Sequence, residues 1–220
     1  MIKTRTIPKK CKNFLAGAFL ATGLFGNTLN AQTVSGAVEV MSADKNMTLD
    51  TKLSLDVNKK VNIFARNRTT FDYELGEKKP FTLVDVSYNW KNGLGILSET
   101  QFVDNGNPDQ RFGLQYFKKM DNLSLYLEGT MGKVPRANGE ILAKVRYARP
   151  LNAQLEGIMQ LETITDFNVR GVTFATQRCR LGLGVGKHLE FGIASDITEV
   201  PLQKKINASY TLGGYLTYKF

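Results

Sequence analysis

The sequence is poor in the residues that build most sites. It holds one histidine, His188, two cysteines, Cys11 and Cys179, and one tryptophan, Trp90. One imidazole and two thiols exclude most metal sites and any disulfide framework. No stretch reaches the ~18 consecutive apolar residues that a membrane-spanning helix needs. Acid is missing from residues 1–31, where Lys3, Arg5, Lys9, Lys10 and Lys12 supply five of the 29 basic residues. The formal charge of +9 is therefore largely an N-terminal effect. Residues 32–220 carry 24 basic against 20 acidic residues, +4 over 189 residues. Spread that thinly, the charge leaves no electrostatic footprint for nucleic acid.

What is present first is an address. A basic segment over 1–13 is followed by the apolar run Phe14–Phe25 and a polar stretch that leads to Ala31 before Gln32. A charged region, an apolar core of about a dozen residues and a small residue at the cut make a secretory signal. Residues 1–31 are thus expected to be a cleaved signal peptide and 32–220 the mature domain. Cys11 precedes the apolar core, so it is not the acylated cysteine of a lipoprotein. Cleavage leaves Cys179 as the only thiol, and a lone thiol forms no internal bridge.

From Gln32 onward the period is two. Met47-Thr48-Leu49-Asp50-Thr51-Lys52-Leu53-Ser54-Leu55 alternates apolar and polar residues, as do Leu123–Glu128, Ile141–Tyr147 and Leu155–Glu162. Successive side chains of a strand point to opposite faces, so each segment has one apolar and one charged face. About twelve such segments are predicted, over 33–41, 47–57, 61–73, 81–90, 93–103, 110–118, 122–131, 139–149, 153–164, 177–186, 188–197 and 205–220. Tight turns rich in Asn, Gly, Asp and Pro centre near 59, 92, 120, 150 and 187. A hairpin therefore recurs about every 30 residues, with longer connections such as 74–80, 104–109, 132–138 and 198–204 on the other side.

Alternation does not say which face meets solvent. The last strand does. Positions 206, 208, 210, 212, 216, 218 and 220 are apolar or aromatic, ending Tyr218-Lys219-Phe220. This closely resembles the C-terminal strand of Gram-negative outer-membrane β-barrel proteins, which ends in Phe with an aromatic residue two positions earlier. A glycine common five residues before the end is here Tyr215, with Gly213 and Gly214 just upstream. The resemblance implies a closed antiparallel transmembrane β-barrel in the outer membrane, inserted by that membrane's assembly machinery and surrounded by its lipids. Tyr88, Trp90, Tyr116, Tyr147, Tyr218 and Phe220 share the apolar parity beside tight turns, which reads as an aromatic girdle at the periplasmic rim.

The opposite parity then lines a lumen. Its basic members are Lys52, Arg66, Arg68, Arg111, Lys144, Arg146, Arg178, Arg180, Lys205 and Lys219. Its acids are Glu39, Asp50, Asp56, Asp72, Asp85, Glu99, Glu128, Glu140, Glu156, Glu162 and Glu190. Ten against eleven sets no selectivity. Order along the strands is more telling, because Arg66/Arg68, Lys144/Arg146 and Arg178/Arg180 stack as i, i+2 pairs. Guanidinium matches carboxylate and phosphate geometry, so the pairs either form a ladder for an acidic solute or pair with lumen carboxylates. Gly182-Leu183-Gly184-Val185-Gly186-Lys187 lacks the spacing of a phosphate loop, and its alternating glycines read as room for bulky neighbours.

No catalytic set emerges. His188 falls in a tight turn, Cys179 has lipid-facing parity with no histidine nearby, and nothing singles out one pair among eleven carboxylates. The sequence predicts no enzyme, no cofactor and no metal. It predicts a passive channel for small hydrophilic solutes, anionic ones where the basic pairs are available, similar in size and basic pairs to the twelve-stranded porins for acidic oligosaccharides. The alternative is a structural or adhesion barrel with a salt-bridged, closed lumen. N-terminal sequencing of membrane-extracted protein should find Gln32 at or near the start; Lys3 or Arg5 still present would refute the signal.

Overall fold

The computed structural model describes residues 33–103, 108–132, 138–202 and 205–220. The expected signal peptide over 1–31 lies outside the described residues. Twelve strands follow in order: β1 Thr33–Ala43, β2 Asn46–Asp56, β3 Val61–Asp72, β4 Lys78–Asn89, β5 Leu94–Val103, β6 Asp109–Met120, β7 Leu123–Gly132, β8 Asn138–Pro150, β9 Leu155–Asn168, β10 Gly171–Val185, β11 Leu189–Leu202 and β12 Lys205–Lys219. Each pairs antiparallel with its sequence neighbours, and β12 pairs with β1, so the sheet closes into a barrel. At 10–15 residues the strands reach or exceed the ~9–11 that a tilted strand needs to cross a bilayer. Closure leaves no unpaired sheet edge, the condition for strands in hydrocarbon.

Local chemistry sets the hairpins. Asn58 Oδ1 accepts from the Lys60 and Val61 N–H groups at 2.8 and 3.0 Å. Asn152 Oδ1 does the same for Gln154 and Leu155 at 2.8 and 2.9 Å, and Asn92 Oδ1 for Leu94 at 3.2 Å. Three short turns thus use one device, an Asn side chain closing the loop on its own backbone. Gly93 adds a backbone reason of its own: its φ is +90°, and a Cβ there would stand 2.2 Å from the Phe117 carbonyl oxygen.

At the opposite end the strands run further than alternation predicts. β9 continues to Asn168 and β10 starts at Gly171, so Val169 and Arg170 alone connect strands expected at 153–164 and 177–186. The ladder persists because Asn168 Oδ1 caps the Arg170 N–H at 2.8 Å and Gly171 takes φ +116°. Phe167 occupies the space over Gly139 of β8. Extended hairpins replace some of the expected loops.

The two faces sort as the alternation requires. Outward residues such as Leu114 at 66%, Ile141 at 55%, Ile193 at 58% and Leu212 at 65% are exposed. Inward ones include Asp50, Glu99, Arg111, Glu162 and Arg180, all buried. An apolar exterior around a charged interior is the polarity of a barrel immersed in lipid, since so large an apolar surface would aggregate in water. Tyr88, Tyr116, Tyr147, Tyr218 and Phe220 stand on the outer face at the short-turn end, with Trp90 in the adjoining turn. Tyr88 meets Trp90 edge-on at 5.7 Å, and Tyr218 stacks on Phe220 at 6.5 Å.

The seam is closed by the last residue. Gly36 N–H donates to the Phe220 carbonyl at 2.9 Å, and Phe220 N–H to the Gly36 carbonyl at 3.0 Å. Deleting Phe220 removes both bonds and the outward ring, so the heat-modifiable folded band on a cold gel should fall; an unchanged folding yield would sink the claim.

Candidate functional site

Period-two geometry brings the predicted lumen residues whose side chains are described to the inner face, except Asp72, whose carboxylate closes the turn after β3 by accepting from the Glu74 and Leu75 N–H groups. It also brings Asp109, Asp166 and Asp196 there, outside the set the alternation predicts. Asp196 carried a readable signal, since it shares the parity of Glu190 along β11. Asp166 and Asp109 lie beyond the predicted strand ends.

The basic pairs do not stand free. Arg66 donates from Nε and Nη2 to Asp50, at 2.9 and 2.5 Å, and Lys52 lies 3.3 Å from the same carboxylate. On its other side Arg66 Nη1 is 3.7 Å from Glu162. Glu162 accepts from Arg178 at 2.6 Å. Asp196 accepts from Arg180 at 2.7 Å and Arg68 at 3.1 Å, and Arg180 continues to Glu39 at 3.3 Å. Arg146 binds Glu190 at 2.5 Å, beside Lys219. Arg111 bridges Asp109 at 2.9 Å and Glu140 at 3.3 Å. Of the predicted lumen bases whose side chains are described, only Lys144 has no carboxylate within ion-pair distance among the described residues.

These contacts divide the lumen. β3 and β9 are six places apart in a ring of twelve, so the Arg66–Glu162 pair joins opposite walls. On the side of β10–β12 and β1 the space is filled. Met41, Ala194 and Tyr215 form a buried cluster there, with Arg180 set against the Tyr215 ring at 6.0 Å. Tyr215 fits because the wall beneath it is bare: a Cβ on Gly182 would lie 2.6 Å from its hydroxyl. Gly184 likewise leaves room for Glu156. The glycine run makes space, as the alternation predicts.

On the side of β2–β8 a cavity of about 970 Å³ opens instead. Its lining starts at the short turns, with Trp90–Gly93, Lys118 and Lys119, and ends near mid-barrel at Arg66, Glu99, Glu140 and Glu162. Its basic wall is Lys52 of β2, Arg66 of β3 and Lys144 and Arg146 of β8; its acidic wall is Asp85, Glu99 and Glu128 of β4, β5 and β7, continued by Glu140 further along β8. Beyond its inner end Gln101 donates to Glu99 at 2.7 Å and to Glu140 at 3.2 Å, beside Arg111. Total lumen charge is nearly balanced, as counted from the sequence, but its signs are segregated.

His188 sits in the β10–β11 turn, its Nδ1 2.8 Å from the Lys219 carbonyl and its ring stacked on Tyr218. Cys179 is exposed on the outer face.

No family model matches the chain, and no curated protein does. Solved structures do match. A KdgM porin superposes with a TM-score of 0.52 at 14% identity, covering 84% of this chain and 99% of that one. A KdgM porin in complex with disordered oligogalacturonate gives 0.51 at 13%, covering 84% and 98%. LpxR from Salmonella typhimurium gives 0.49 at 9%, covering 84% and 99%. The barrel fold matches that of Gram-negative outer-membrane porins and channels.

The belt predicts its own stability signature. Glu162 is buried between Arg66 and Arg178, and removing one member of a buried pair leaves charge uncompensated, at a cost of about 3–5 kcal/mol. Glu162→Gln should lower urea stability in detergent by that order. Lys79→Gln, in an exposed pair with Glu77, should change it by less than about 0.5 kcal/mol.

Proposed function

We propose that the protein is a passive outer-membrane channel for small hydrophilic, anionic solutes, with the Arg66–Glu162 belt as its constriction. The observation that carries this reading is the cavity of about 970 Å³. A barrel that served only as a wall has no need of it; the opposite side of the same lumen is packed shut with Met41, Ala194 and Tyr215.

The basic wall fits an acidic solute. Lys144 lines the cavity without a carboxylate partner among the described residues, and Arg68 Nη1 and Arg178 Nε are buried N–H donors with no acceptor among them. A solute carboxylate entering from the short-turn mouth meets Lys52 and Lys144 first. It then exchanges with Glu162 for Arg66 and Arg178, trading one charge-assisted hydrogen bond for another. Exchange keeps the guanidinium groups paired at each step, so passage avoids the desolvation cost of an isolated buried charge. The KdgM porin of the same fold was solved with oligogalacturonate, and that chemistry supports the choice of an anionic solute. Catalysis has no part in this reading, because the only imidazole is tied to the Lys219 carbonyl in a turn. Tyr88, Tyr116, Tyr147, Tyr218 and Phe220 on the outer face, with Trp90 in the adjoining turn, anchor the rim at the membrane interface.

A second reading rests on the ion pair that joins opposite walls: a structural barrel closed by salt bridges. Planar-bilayer recordings separate the two. The folded protein should conduct, and Lys144→Gln should move the reversal potential in a salt gradient toward cations with little loss of thermal stability, since no ion pair is broken. A folded barrel that never conducts would establish the closed alternative.

A further inference from the structure

The inward acids gather where the bases are few. Glu99 of β5, Glu128 of β7 and Glu140 of β8 each bring a carboxylate oxygen within 4.8 Å of the others, and all three are buried. Asp85 of β4, also buried, stands directly across from Glu99 in the ladder. It lines the same cavity as Glu99, Glu128 and Glu140. Four buried carboxylates thus face one buried guanidinium, Arg111, which is itself shared with Asp109 and Asp166.

Neutral donors hold the cluster in shape without neutralising it. The Gln101 amide donates to Glu99 Oε1 and Glu140 Oε2. The Tyr126 hydroxyl donates to Glu128 Oε2 at 2.5 Å. With those oxygens fixed, Glu99 Oε2 and Asp85 Oδ1 remain buried and without a hydrogen-bond partner among the described residues. Both residues are more than nine-tenths buried, Glu99 completely. Thr130, paired across from Glu140, adds a third unpartnered oxygen, Oγ1. Ligand carboxylates oriented by outer hydrogen bonds, with lone pairs turned to a common space, are how proteins prepare a cation site.

We propose that Glu99, Glu128 and Glu140, with Asp85, bind a divalent cation, and that the cation is calcium. The donor set is oxygen alone, which excludes metals that prefer nitrogen or sulfur. Calcium accepts six to eight oxygens in irregular geometry, whereas magnesium demands an octahedron and sheds water reluctantly. A buried, carboxylate-dense site favours the former. The cluster forms the inner end of the cavity, so an ion reaches it from the short-turn mouth. Bound there, calcium offsets the acidic wall and leaves the basic wall dominant.

The test uses the full chain folded in detergent micelles and stripped with chelator. Titration with CaCl₂ in a calorimeter should show one site per barrel and raise Tm. Tb³⁺, a calcium stand-in excited through tyrosine, should emit because Tyr126 touches Glu128, and Tyr126→Phe should dim that emission at saturating TbCl₃. CaCl₂ should displace Tb³⁺ at a concentration at least tenfold below MgCl₂. Glu99→Gln combined with Glu128→Gln preserves side-chain shape and should weaken calcium binding more than tenfold, while Glu77→Gln leaves it unchanged. Absence of saturable calcium binding overturns the site and means the carboxyls share protons instead. Wild-type affinity in the double variant, or undimmed emission in Tyr126→Phe, overturns its location, and equal displacement by MgCl₂ overturns the choice of calcium. A barrel that binds calcium but never conducts refutes the channel and leaves this site standing.

Discussion

Arg66 meeting Glu162 across the full width of the barrel is the contact on which the interior depends. Neither charge is tolerable alone at that depth. Asp50 and Lys52 on one side, and Arg178, Asp196, Arg68, Arg180 and Glu39 on the other, extend it into a string in which each carboxylate touches at least one base. Such a string adds little net stability over an apolar filling, because desolvation offsets most of the attraction. What it adds is position. All but its end members Lys52, Arg68 and Glu39 have two or more partners within the string, so the opposite walls are fixed in register although no backbone hydrogen bond connects them.

That tie makes two compartments out of one lumen, and they are filled by different rules. Along β10–β12 the sequence spends Gly182, Gly192 and Gly213 on the inner face. A Cβ on Gly192 would lie 2.5 Å from the Gly182 Cα. Tyr215 covers this bare stretch of wall, much as aromatic residues shield glycines in other sheets. The position where many outer-membrane strands place glycine is here the side chain that plugs half the barrel. Across β4–β8 no such cover exists, and the inward residues are Asp85, Glu99, Glu128 and Tyr126, whose polar ends need water or an ion.

Parity was the legible part. Alternation alone gives twelve strands, the outward Tyr88, Tyr116, Tyr147, Tyr218 and Phe220 and the inward placement of Arg66, Arg68, Arg111, Lys144, Arg146, Arg178 and Arg180, because one residue step flips a side chain from lipid to lumen. Trp90, expected on the apolar face, falls past the end of β4 in a turn and lines the cavity mouth. Strand ends were less legible: Asp166 lies in a stretch whose extension depends on an Asn168 cap and on Phe167 covering Gly139, neither of which is a hydrophobic pattern. Contacts across the lumen were not legible at all. Whether Arg66 reaches Glu162 depends on barrel diameter and cross-section, which twelve strands fix only together with their stagger. For the same reason eleven carboxylates read as interchangeable in the sequence, while the fold gathers Glu99, Glu128 and Glu140 and disperses the rest.

Segregated charge has a consequence that a neutral total conceals. With Lys52, Arg66, Lys144 and Arg146 sharing one cavity with Asp85, Glu99, Glu128 and Glu140, the field runs across the pathway and, on β8 between Glu140 and Lys144, also along it. Apolar lipid outside the wall and restricted water within it weaken screening, so the field is stronger than the same charges would produce in bulk solvent. A flexible polar solute with its charges on one edge aligns with that field; one with charge distributed all round meets repulsion on one wall whatever its orientation. Selection then acts on the arrangement of a solute's charge as well as on its sign. The filled compartment is what permits this, because it anchors the basic wall from behind. Without Tyr215, Met41 and the Asp196 pairs, Arg66 would be free to swing to the acids it now faces, and the two walls would collapse into a neutral core.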